Sequence, residues 1–217
     1  MKRNLELLKV FKSVHKDSCP RFLNFHCHTT LSDGSMTPIE LIRQAISFGV
    51  KHIAVTDHHS VLAFEEIHQW LNDNYSKNNC PIKCWSGIEI SSLLNNSLVH
   101  ILGYGFDINS RLIEPYVKKE STKGQLLKAE NIIEAIKLSG GFTFLAHPAR
   151  YRKSYDELIK DSLDIGIDGI EVWYDYEHNK EWIPSNYICN KINSLCSSYN
   201  LLASCGTDSH GYSLKGR

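Results

Sequence analysis

Residues 52–59, His52-Ile53-Ala54-Val55-Thr56-Asp57-His58-His59, decide how this chain is read. Ile53, Ala54 and Val55 form an unbroken apolar run with no polar alternation. Such a run suits a short strand covered on both faces, as in a parallel sheet flanked by helices. It ends in a carboxylate and two imidazoles at the point where the strand stops.

Working outward, the same pattern recurs. Candidate strands are 21–26, 52–56, 83–89, 98–103, 142–146, 168–173 and 201–206. Between them lie amphipathic helical patterns. Thr37-Pro38-Ile39-Glu40 opens one with an N-cap, a proline in the first turn and an acid, and Gly49 closes it. Further helices are expected over 60–71, 121–138, 155–165 and 185–199, and a short amphipathic one over 1–11. Strand and helix in alternation predict an α/β fold with a parallel sheet and helices outside, one domain over 1–217 with a helical insertion at about 107–141. Seven strands suit either a barrel or an open doubly wound sheet.

Lys plus Arg and Asp plus Glu are 24 each, so no global charge points to nucleic acid or membrane. No apolar run is long enough for a membrane span, and the N-terminus lacks the apolar region of a signal peptide. Seven cysteines without a C-x-x-C pair read as small buried hydrophobes in a reducing cytoplasm.

The strand ends carry the chemistry. The first ends in His26-x-His28, followed by Ser32-Asp33-Gly34; the second in Asp57-His58-His59; the third in Gly87-Ile88-Glu89. The fourth holds His100, the fifth ends in His147-Pro148, and the last in Gly206-Thr207-Asp208-Ser209-His210. Loops after parallel strands share one rim, so these side chains are expected to converge. Buried carboxylates among imidazoles need a positive partner, and both are common ligands of divalent metals. Taken singly, each has a plainer reading: His100 as a core histidine, Asp33 as a turn residue, Glu89 as an ion-pair partner. The joint pattern is what points to metal. His15, His52, His68 and His178 lack such placement and read as surface or packing residues.

His26-Cys27-His28-Thr29-Thr30, Ser32-Asp33-Gly34, Ile53-Ala54-Val55-Thr56-Asp57-His58, Gly87-Ile88-Glu89, His147-Pro148 and Gly206-Thr207-Asp208-Ser209-His210 together resemble the PHP (polymerase and histidinol phosphatase) superfamily. The resemblance implies a distorted seven-stranded TIM-like (β/α) barrel and two or three divalent ions, Mn, Fe or Zn. It implies one metal on His26, His28, Glu89 and Asp208, a second on Glu89, His100 and His147, and a third on Asp33, His58 and His210. Asn24 stands where the family usually has Asp, which implies altered hydrogen bonding behind the ligands. His59, where relatives often carry Asp or Asn, reads as a rim residue. The chain stops seven residues after His210, where many relatives continue; a compact member and a missing tail both fit.

The implied activity is hydrolysis of a phosphate ester by a metal-activated hydroxide. Candidate substrates are a phosphorylated small molecule such as a nucleoside 3′,5′-bisphosphate, or the end of a short nucleic acid. Arg150, in His147-Pro148-Ala149-Arg150, is a candidate phosphate clamp. Lys118, Lys119, Lys123 and Lys128 read as a solvated helix face able to guide a phosphate backbone. A small-metabolite phosphatase of the histidinol phosphate type is an alternative, with Asp175 or Glu177 to meet an amine. A non-catalytic, metal-bound regulatory module is another.

Overall fold

A computed structural model of the chain describes residues 3–216. Helix α1 spans Leu5–Lys12, capped by the Asn4 side chain. The expected N-terminal helix is thus present, although Met1 and Lys2 lie outside the described residues. Strand β1 (Leu23–Asn24) is followed by α2 (Pro38–Ser47), β2 (His52–Ala54), α3 (Leu62–Asn74) and β3 (Lys83–Trp85). Then come β4 (Gly87–Leu94), β5 (Ser97–Tyr104), α4 (Ala129–Leu138) and β6 (Phe142–Leu145). The chain ends with α5 (Tyr155–Asp164), β7 (Gly169–Trp173), α6 (Asn186–Ser198) and β8 (Leu202–Cys205).

The fold is α/β, as the alternation predicts, but the strands differ from the expected closed seven-stranded barrel. They hydrogen-bond as a three-stranded sheet, β1-β2-β3, and a five-stranded sheet, β4-β5-β6-β7-β8. The run 83–89 is broken at Ser86, whose hydroxyl donates to the Phe106 carbonyl and whose own carbonyl accepts from Gly105 N. The two sheets meet at the rim through isolated bridges, Cys27 to Ser209 and His58 to Glu89.

A second difference is direction. β4 and β5 are antiparallel, and so are β5 and β6. The reversal is made by Asn95 and Asn96, both at positive φ (43° and 64°), which asparagine tolerates better than most residues in a two-residue hairpin turn. His100 therefore reaches the rim from a descending strand rather than from a strand C-terminus.

Helix α2 carries the expected capping box between Thr37 and Glu40, and Gly49 after it adopts φ +80°. The helix expected over 121–138 begins only at Ala129. Gly124 (φ +60°) and an extended Lys128 confine the preceding residues to a 3-10 turn, Gly124–Leu127. Lys118, Lys119 and Lys123 consequently lie exposed on an irregular strap rather than along a helix face.

Helix α1 closes the end of the sheets remote from the rim. Phe11 packs its ring 4.5 Å from Phe144 and 5.0 Å from Phe25, and the Arg3 guanidinium sits 2.7 Å from Asp168. A smaller apolar cluster lies between β1–β2 and helices α2 and α3, and Leu214, folding back from the C-terminal segment, is buried in it. No helix among the described residues is long and apolar enough to cross a membrane. The seven cysteines are unpaired.

Candidate metal centre

Glu89, 1% exposed, stands where the strand ends converge. Its Oε2 lies 3.1 Å from both His26 Nε2 and His28 Nε2, and 3.6 Å from His58 Nε2. Its Oε1 lies 2.7 Å from His100 Nδ1 and 3.3 Å from His147 Nε2. Asp208 Oδ1 completes one face, 3.2 Å from the same nitrogens of His26 and His28. Beside them Asp33 Oδ2 is 3.3 Å from His210 Nε2 and 3.7 Å from His58 Nε2. All nine positions singled out in the sequence thus meet at one rim, drawn from across the chain. Their grouping differs in detail from the implied one. His28 also joins Asp33, His58 and His210, while His58 joins Glu89 and His100.

The donor atoms fit a divalent ion better than they fit one another. His28 Nε2 is close to two carboxylates, and His100 Nδ1 to one, yet both nitrogens lack an aligned hydrogen bond, as does His28 Nδ1. Ligands held about 2.0–2.2 Å from one ion stand roughly 3–3.6 Å apart with their lone pairs aimed between them. The separations from Glu89 and Asp208 to His26, His28, His58 and His147 fall in that range, and only the 2.7 Å to His100 is shorter.

Electrostatics agree. Burial works against charge on Glu89, but His26 and His100 outweigh it and hold the carboxyl well below its ordinary range. Asp208 is likewise held low, chiefly by His26 and His28 against the cost of burial. Burial pushes His28 down, yet Asp208 and Glu89 lift it to about 9, whereas burial takes His58 down to about 4. The rim also stores backbone strain. His59, His147 and Asp208, none of them glycine, have φ of 51°, 27° and 49°.

Several residues behind the cluster fix its geometry. Glu171, fully buried in β7, lies 2.8 Å from His26 Nδ1 through Oε1 and accepts the His147 backbone N–H at 2.8 Å through Oε2. Sequence reasoning passed over it, although a glutamate inside Gly169-Ile170-Glu171-Val172-Trp173 was the available signal. Asp57 accepts from Thr29 N, Thr29 Oγ1 and Ser32 Oγ, which fixes the loop bearing Asp33. Asn24 accepts from Thr207 N and donates to Thr207 Oγ1, tying β1 to the Asp208 loop. Gly206 is required there, because a Cβ would stand 2.2 Å from that of His26.

Two expectations need correction, on His59 and Asp175, and the surroundings of Arg150 are more specific than expected. His59 is buried rather than a bland rim residue, and its Nε2 accepts from Ser91 N. Arg150 reaches the mouth of the cluster, but one arm is already engaged, with Nη1 3.1 Å from Asp208 Oδ2 and donating to Tyr174 Oη. Asp175 spends its oxygens on Glu177 N, Asn179 N and Asn179 Nδ2, so it does not face the cavity as an amine partner. The cavity above the cluster is about 170 Å³, lined by Asp33, His58, Glu89, His100, Arg150 and His210 among others.

The PHP domain model matches residues 24–205, which include seven of the nine cluster positions and stop just short of Asp208 and His210. The chain belongs to the PHP domain family. Its sequence is 29% identical over 100 residues to the 5′-3′ exoribonuclease Rnm of Escherichia coli, a match covering 46% of this chain and 33% of that protein. The chain therefore corresponds to about a third of that relative's length. Among solved structures, this PHP domain resembles an amidohydrolase from Chromobacterium violaceum with TM-score 0.72 and 20% identity, covering 89% of each chain. It also resembles a protein from Bifidobacterium adolescentis named provisionally as a metal-dependent phosphoesterase, with TM-score 0.70 and 20% identity over 91% of this chain and 90% of that one.

Proposed function

We propose that this PHP domain is a metal-dependent phosphoesterase acting on a nucleotide or on the end of an oligonucleotide. The observation that carries the reading is Glu89, whose two oxygens are shared among five imidazoles at the floor of a small open cavity. The ligands would be His26, His28, Asp33, His58, Glu89, His100, His147, Asp208 and His210. Two or three divalent ions, Mn, Fe or Zn, bound there would supply an activated water and offset phosphoryl charge.

The chain's own groups do the rest. Glu171 holds His26 with Nδ1 protonated, so that Nε2 presents its lone pair to the cluster. Tyr174 donates to Asp208 Oδ2 at 2.6 Å, which leaves Oδ1 turned inward. Arg150 adds a fixed positive charge at the cavity mouth, suited to an incoming phosphate. A cavity of about 170 Å³ holds a phosphoryl group but not a whole nucleotide, so the rest of the substrate lies over the rim.

The name of the Escherichia coli relative favours a nucleic-acid end, and a cytoplasmic location would suit that substrate. Histidinol phosphate chemistry is less favoured, since Asp175 is committed to its own loop. A non-catalytic regulatory module would not need the full set of competent side chains. The test is turnover by metal-loaded protein of p-nitrophenyl phosphate, adenosine 3′,5′-bisphosphate, histidinol phosphate and a 5′-phosphorylated oligonucleotide. Release of phosphate or nucleotide is expected from the nucleotide substrates. No turnover of any of the four with Mn, Fe or Zn would refute the reading.

A further inference from the structure

The strap between Tyr116 and Gly124 carries Lys118, Lys119 and Lys123 against one acid, Glu120. All three lysines are exposed, and none ion-pairs among the described residues. In a chain of balanced charge, this is a local concentration of unneutralised cations.

Its position is fixed. Lys119 N donates to the His59 carbonyl at 2.9 Å, and His59 N donates to the Glu89 carbonyl at 3.0 Å. Two consecutive backbone hydrogen bonds thus tie the strap to the residue at the centre of the cluster. Lys119 itself has φ +59°, a conformation lysine adopts only when its surroundings hold it there. Both ends are anchored. Tyr116 is buried before the strap, and Thr122 Oγ1 donates to the Leu126 carbonyl at its far end.

We propose that this strap is a track for the phosphate backbone of a single-stranded oligonucleotide whose terminal phosphate occupies the metal cluster. The proposal rests on the phosphoesterase reading of the cluster and narrows its substrate. The cavity accommodates one phosphoryl group, so a simple monoester leaves the strap without a role. A polynucleotide continues outward as a series of further phosphates, and long lysine side chains on a fixed backbone meet them as point charges without reading sequence.

The test separates the strap from the cluster. The variant Lys118→Ala/Lys119→Ala/Lys123→Ala is compared with wild type and with Lys51→Ala/Lys77→Ala, which removes two exposed lysines, one of them just before β2 at the opposite end of the strands. Binding of a fluorescent 5′-phosphorylated oligonucleotide is measured by anisotropy in chelator across a salt series, and p-nitrophenyl phosphate turnover is measured with metal. The strap variant is expected to bind at least about tenfold more weakly and to flatten the dependence of log affinity on log salt by about 2, from about 0.7 per lysine on a single strand. Turnover of p-nitrophenyl phosphate should be unchanged. Equal binding by wild type and strap variant, equal weakening in the Lys51/Lys77 control, or equally tight binding of a phosphoserine peptide of the same charge would overturn the track. Failure of metal-loaded wild type to turn over any of the four substrates named above would instead count against the phosphoesterase reading.

Discussion

The carboxylate of Glu171 lies 2.8 Å from His26 Nδ1 with one oxygen and accepts the His147 backbone N–H at 2.8 Å with the other. One buried side chain thereby sets the tautomer of one cluster imidazole and the backbone position of another. Carboxylates behind metal-ligating histidines are typically worth about 10–100-fold in metal affinity or activity. Glu171→Gln can still accept from His26 but presents an NH2 group where His147 N–H needs an acceptor. Metal affinity, read by calorimetric titration, should fall by about that factor while circular dichroism stays unchanged. Unaltered affinity would remove Glu171 from the account.

Glu89→Ala and His26→Ala should abolish phosphoesterase turnover. Each removes a donor that faces several others, so the loss is not made good by a neighbour. The folded state should persist in both, since neither side chain belongs to the apolar core. Normal rates in both variants would sink the metal-cluster reading.

Arg150→Ala should raise KM for phosphorylated substrates by about tenfold, a loss in keeping with one charge-assisted contact of about 1.5 kcal/mol. Metal content should not change, because Tyr174 still donates to Asp208 Oδ2. A fall in bound metal without a KM effect would make Arg150 a support for Asp208 rather than a substrate contact.

Chelation should lower the melting temperature, and added Mn should restore it. A buried nitrogen lacking an aligned hydrogen bond, such as His28 Nε2 between Glu89 and Asp208, gains a partner from the ion. Linkage gives about 2.7 kcal/mol of stabilisation at a free metal concentration 100 times Kd. A melting temperature indifferent to metal would count against a site here.

Phe11→Ala should destabilise the fold by about 3–5 kcal/mol, the usual cost of emptying a buried aromatic site. Phe11 touches Phe25, Tyr104, Phe142 and Phe144 at once, at the end remote from the cluster. Chemical denaturation would measure the loss. A change below about 1 kcal/mol would show that α1 is a dispensable lid on that end.

The nine cluster positions were legible because their side chains are chemically conspicuous and fall beside apolar runs such as Ile53-Ala54-Val55. Direction was not legible. A run such as 98–103 looks the same whether it ascends or descends, and only Asn95-Asn96 marks the hairpin. The strand break at Ser86 depends on its bond to the distant Phe106 carbonyl, which no local pattern reveals. Glu171 was hidden for a different reason: a lone carboxylate in a buried strand declares a partner but does not name it. The segment 121–128 has helical spacing in Leu126 and Leu127, and Gly124 with its positive φ overrides it.

The β4–β5 hairpin has a further consequence. His100 pairs opposite Ser91, and beyond that level the ribbon runs on to its turn at Asn95-Asn96. At about 3.4 Å per residue it continues past the cluster with Ser92, Leu94 and Val99 buried, and Asn95 Nδ2 at its tip donates to Asp161 Oδ1. Lengthening it at the turn by matched pairs leaves the register of Glu89 and His100 intact, whereas a single residue inserted below His100 would swing one strand's side chains to the opposite face. The tip is therefore where the ribbon tolerates a change of length without shifting Glu89 against His100.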